Sequence, residues 1–149
     1  MRIAPYIRAG LVLFAGAAQQ AAAQAAAPEV TRTTLSGIYT TKQATRGKNI
    51  YAGMCRSCHT PSSHTGKTFE LFWSGKSMSD LYGFVTERMP KNDPGGMAPQ
   101  DYADVVAYLL SMNVMPAGKT ELPPDSAALA PIRIVLKKKA ASRPAVTHK

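Results

Sequence analysis

The chain has 149 residues, the size of one domain with a modest core, so its length requires no second domain. A formal charge of +9, from 18 Lys and Arg against 9 Asp and Glu, raises nucleic-acid binding as a possible class, and the placement of the charge argues against it. Without Arg2 and Arg8, which belong to a leader, 16 basic residues remain; six of them (Arg133, Lys137, Lys138, Lys139, Arg143, Lys149) lie in the acid-free stretch after Ile132, and residues 24–131 hold ten basic against nine acidic side chains.

The chain opens with Arg2 and Arg8 and no acid, continues with an apolar run over residues 9–18, and then crowds small residues into 21–27. This order predicts a signal peptide over residues 1–25, cleaved after Ala23, Ala25 or Ala27, and export to the periplasm. The apolar run is about half the length a membrane span needs, and no other stretch is apolar enough, so no transmembrane span is expected in the mature form. Residues 25–36 read as a mobile lead-in. Residues 40–54 read as a helix with Thr40 near its N-cap and apolar positions at Ala44, Ile50, Tyr51 and Met54. Gly47 inside it costs about 1 kcal/mol relative to Ala, which suggests that something approaches the backbone there.

Residues 61–66 are loop by composition, and the apolar patch 69–73 suits a helical turn. Ser79 is then expected to cap a helix over 80–88 that carries Leu81, Phe84 and Val85 on one side, with Pro90 ending it. Pro90, Pro94, Pro99, Gly95 and Gly96 make residues 90–99 a loop. The most regular helix runs from 99 to about 112, with Pro in its first turn, Tyr102, Val105, Val106, Leu109 and Leu110 on an i, i+3, i+4, i+7 stripe, and Asn113 at its end. From residue 116 onward the composition predicts an extended strap and then a disordered basic tail. There are no alternating strand-like runs, so the fold class is all-α, with three to four helices in a domain over residues 37–115. Such a thin core ordinarily needs a disulfide, a metal or a cofactor.

Both cysteines fall in one motif, Cys55-Arg56-Ser57-Cys58-His59, the attachment signal for c-type haem. Two thiols one helical turn apart reach the two vinyl groups on one porphyrin edge, and His59 then lies under the ring as an iron ligand. A redox dithiol normally follows a strand, and none is readable here. A zinc site needs a second ligand pair, for which His64 and His148 alone remain. Six-coordinate iron needs a further ligand, for which Met is the usual choice. Met54 abuts the tether, Met78 sits among polar neighbours, and Met112 and Met115 end the last helix, leaving Met89 and Met97 beside the Pro/Gly loop. Met89 is favoured, because Met-Pro ends a helix abruptly and extends the chain. Met97, His64 and an open site stay as alternatives. Trp73 suits either a porphyrin edge and propionate or plain core packing. Gly47 and Tyr51 are expected to meet Tyr108 and Leu109 where the first and last helices cross.

These features resemble the class I cytochrome c family over about residues 37–113. Gly37-Ile38-Tyr39-Thr40, Gln43-Ala44, Arg46-Gly47, Met89-Pro90, Pro94-Gly95 and residues 102–110 with Asn113 are similar to the single-haem cytochromes associated with periplasmic quinoprotein (PQQ-type) dehydrogenases. Ala98-Pro99 departs from the helix cap often found there. The resemblance implies a small class I cytochrome c fold around one covalently bound haem c, Met89 as the axial partner of His59, and an electron-transfer protein that is not itself an enzyme. Its partners would be redox proteins, a donor dehydrogenase and an acceptor cytochrome or oxidase, with the protein a monomer or a complex subunit. One rival reading is a fixed subunit of a dehydrogenase or sulfur-oxidising complex, which a large exposed apolar patch would favour. Another is a haem enzyme or ligand sensor with an open distal site.

Overall fold

A computed structural model of the chain describes residues 32–137. The leader expected at residues 1–25 and the tail from residue 138 onward lie outside that span. The described residues form five α-helices: α1 Thr41–Ile50, α2 Gly66–Trp73, α3 Met78–Arg88, α4 Pro99–Met112 and a single turn, α5, Ser126–Leu129. Short 3-10 turns at Thr34–Ser36 and Pro61–His64 and a π-helical stretch at Tyr51–Cys55 complete the regular structure. Among the described residues β-pairing is limited to isolated bridges of Arg133 with Thr33 and with Ser77, so the fold is all-α, as the sequence predicts.

The frame of the domain is the crossing of α1 and α4. A Cβ on Gly47 would collide with the backbone carbonyl of Asp104, so only glycine lets the two helices approach this closely. The approach that Gly47 implied in the sequence is therefore made by Asp104 and Val105, and Tyr51 stacks edge-on against Tyr108 at 5.4 Å between ring centroids. Asp104, with its side chain 3% exposed, is held across the same crossing by Arg46, at 2.6 Å and 2.8 Å, and by Gln100, at 2.8 Å. Burial alone pushes the Asp104 carboxyl up, and these hydrogen bonds outweigh it, leaving the group below the ordinary carboxylate range.

The start of α3 differs from the expectation. Ser77, and not Ser79, is the cap: its hydroxyl accepts from the Asp80 N–H at 3.0 Å while the Asp80 carboxylate accepts from the Ser77 N–H at 2.9 Å. That reciprocal pair needs a spacing of three, which Ser77 has and Ser79 lacks. Met78 consequently becomes the first helical residue and is fully buried despite its polar neighbours.

Residues outside the central helices contribute to the core as well. Leu122, Leu129, Ile132 and Ile134 are all buried. The Gln43 side chain pairs with both backbone groups of Leu122, and the Thr34 hydroxyl pairs with both backbone groups of Val135. Ile132 and Ile134 are further bonded to the backbone of Met78, Gly75 and Lys76. The described end of the expected mobile lead-in, residues 32–36, is thus tied to residues 133–135, with Thr34 fully buried.

Candidate functional site

The helical path of α1 does not end at Ile50. It widens into a π-turn, in which the Arg56 N–H donates to the Tyr51 carbonyl at 3.0 Å, and then closes again through Cys58 and His59, whose N–H groups donate to the Cys55 carbonyl at 3.1 Å and 2.9 Å. Cys55, Cys58 and His59 therefore occupy positions i, i+3 and i+4 of one turn and share a face. The spacing of the motif thus becomes a surface that presents two thiols and an imidazole side by side.

That surface forms one wall of a cavity of about 730 Å³, within the range of cofactor sites. Trp73 from the end of α2 and Met89 from the end of α3 line the same cavity as Cys55, Cys58 and His59. Leu81 and Val85 of α3 and Val105 and Leu109 of α4 supply apolar wall on the α3 and α4 sides. Met89 follows α3 in an extended conformation, as Met-Pro implied. Met97, the other methionine of the loop, is not part of the wall; it packs half-buried against the core.

Two thiols on one turn, an imidazole, a thioether from a separate element and apolar walls have the chemistry that a c-type haem requires. The Cys55 thiol is pushed up by its burial, with a further contribution from Cys58. A redox dithiol needs the opposite, a thiol held below its ordinary range. Among the described residues no group of three or more His, Cys, Asp and Glu is assembled as a site for a bare metal ion.

His64 is half-buried on the cavity wall. Its ring lies 4.7 Å from that of His59 and 6.0 Å, edge-on, from Tyr51. Burial, and secondarily the charge of His59, lowers its pKa. Asn113 holds it there: the side-chain amide donates to the His64 and Leu109 carbonyls, both at 2.8 Å, and its oxygen accepts from the Gly66 N–H at 3.1 Å. The 3-10 turn Pro61–His64 folds the chain back so that His64, one of the alternative ligands in the sequence, lies on the same side of the cavity as His59. Trp73 stacks edge-on with Phe84 at 5.5 Å, and Lys76 Nζ lies 5.1 Å from the centre of its ring.

An all-α domain that closes an apolar cavity with a C-x-x-C-H turn and sets a methionine in its wall is built as a c-type cytochrome. Residues 42–109 match the family described as cytochrome C oxidase, cbb3-type, subunit III, and this match supports a c-type cytochrome domain of class I with a haem-bearing role in electron transfer. The matched span contains the attachment turn, α2, α3 and most of α4. No curated protein and no solved structure matches the chain. Among the described residues no helix is long and apolar enough to cross a membrane.

Proposed function

We propose that the protein is a periplasmic one-electron carrier with a single haem, tethered by thioethers to Cys55 and Cys58 and ligated by His59 and Met89. The observation that carries this reading is the convergence of those four side chains on one cavity. Bound haem supplies the one-electron couple of its iron. The chain's own part is to hold it: the thiols fix one edge, His59 and Met89 set the ligand field, and the walls from α3 and α4 exclude water. Met54 and Phe84 line the cavity and remain 48% and 47% exposed, which offers an apolar contact through which a redox partner comes close to the cofactor. The resemblance to cytochromes of quinoprotein dehydrogenases makes such a dehydrogenase the proposed donor and a cytochrome or oxidase the proposed acceptor. The charged start and short apolar run of residues 1–18 support export.

The test is the visible and near-infrared spectrum of holoprotein made in the periplasm, beside Met89→Ala and Met97→Ala. A low-spin spectrum whose Met–iron band disappears in Met89→Ala and persists in Met97→Ala supports the assignment. A band that survives Met89→Ala, or a wild type that lacks it and binds carbon monoxide readily, rejects it in favour of Met97 or an open site.

A second reading, a fixed subunit of a dehydrogenase, sulfur-oxidising or oxidase complex, is favoured by Leu71 and Phe72 on α2, which are 81% and 56% exposed beside Trp73. Native purification separates the two: a freely migrating monomer supports the carrier, whereas stoichiometric recovery with a dehydrogenase or oxidase supports the subunit.

A further inference from the structure

Nine residues, Met89 to Met97, form the loop that brings Met89 to the cavity, and both ends of that loop meet a single atom. Tyr102, in the first turn of α4 and 2% exposed, donates its hydroxyl hydrogen to the Met89 carbonyl at 2.8 Å. The same oxygen accepts from the Met97 N–H at 3.4 Å. Inside the loop, the Asp93 N–H bonds the Pro90 carbonyl at 2.9 Å and the Gly96 N–H bonds the Asp93 carbonyl at 3.1 Å, so two tight turns lie between the tied ends. Tyr102 stands on the same stripe of α4 as Val105 and Leu109, three and seven residues on, both of which reach the cavity wall.

We infer that Tyr102 is the positioning residue for Met89, a buried hydroxyl that closes the loop so that the Met89 thioether stays at the cavity. This rests on Met89 as the axial ligand. A thioether is a weak neutral donor, and it holds its place against competing ligands chiefly through the high effective concentration that a fixed backbone provides. The Met89 N–H is already bonded to Val85 at the end of α3, so the Tyr102 hydroxyl fixes the remaining backbone group of that residue. Removing the hydroxyl leaves the ring and its packing in place and unties both ends of the loop.

The experiment is an imidazole titration of the ferric holoprotein for wild type, Tyr102→Phe, Tyr82→Phe and Met89→Ala, read by the shift of the Soret band and, where the near-infrared Met–iron band is present, by its loss. Tyr82 is the matched control, since its hydroxyl bonds the Pro99 carbonyl at 3.2 Å outside the loop. A net hydrogen bond predicts about two- to tenfold tighter imidazole binding in Tyr102→Phe, with Tyr82→Phe as wild type. Equal affinities for Tyr102→Phe and wild type, or equal gains in Tyr102→Phe and Tyr82→Phe, overturn the inference while Met89→Ala still binds imidazole more tightly. If Met89→Ala itself changes neither band nor affinity, the ligand assignment beneath it has failed. Amide exchange of Met97 in the wild-type holoprotein needs no variant: protection supports the tie, and exchange at the rate of an open loop contradicts it.

Discussion

Asp104 combines almost complete burial with a carboxylate that stays ionised, and its partners explain how. Arg46 bonds it through two nitrogens while also reaching Glu121, and both contacts raise the Arg46 pKa further. Because the folded-state pKa of Asp104 lies below its unfolded value, the group stabilises the fold above the ordinary carboxylate range, about pH 4, and that contribution is lost as pH falls through the lowered folded value. Thermal melts of the holoprotein from pH 7 downward are therefore expected to show a steeper acid loss in wild type than in Asp104→Asn. Parallel slopes would mean that the ion pair carries no acid sensitivity. Glu121 sits in solvent, where screening leaves an ion pair little net effect. Gly47 belongs to the same crossing and was readable as an anomaly in the sequence, since a glycine in mid-helix is costly unless another backbone occupies the space of its Cβ. Asp104 gave no such sign, because an acid early in a helix is ordinarily read as a dipole partner.

At the level of elements, α3 carries a capping box that the sequence places two residues too late. Ser77→Ala removes the acceptor of the Asp80 N–H and is expected to cost about 1 kcal/mol in chemical denaturation, whereas Ser79→Ala, half-buried inside the first turn, costs a few tenths. The reverse order would restore Ser79 as the cap. α4 was legible almost to the residue, from Pro99 to Met112 with Asn113 following, because its five apolar positions keep helical phase over three turns. α2 was legible only as a patch, since half of its apolar side chains, Leu71 and Phe72, face solvent and break the pattern by which burial is recognised. The π-turn at Tyr51–Cys55 has no sequence signature. It is a local widening of a helix that the motif continues.

For the whole molecule, residues 32–36 and 132–135 matter more than composition suggests. Residues rich in Pro, Gly and Ala after 116 read as strap, yet Ile132 and Ile134 are fully buried and bonded to the backbone between α2 and α3. Holoprotein truncated after Pro131 loses both and is expected to melt with about 3 kcal/mol less stability, taking roughly 1.5 kcal/mol or more per buried aliphatic side chain. Truncation after Lys137 leaves the clasp with Thr34 intact and is expected to leave the melt unchanged. Equal effects of the two truncations, or none from either, would show that the clasp does not contribute to stability.

What the sequence by itself determined is local chemistry: the two thiols and the imidazole of residues 55–59, whose spacing within one helical turn is their geometry, and the phase of α4. Tertiary structure alone decided which side chains meet across long separations. It joined both ends of the Met89 loop at Tyr102 and drew residues 132–134 into the core. The physical reason is common to both. A helical turn relates residues three and four apart by backbone geometry that every sequence shares, whereas contacts across thirteen or a hundred residues depend on how the elements pack, which no local pattern records.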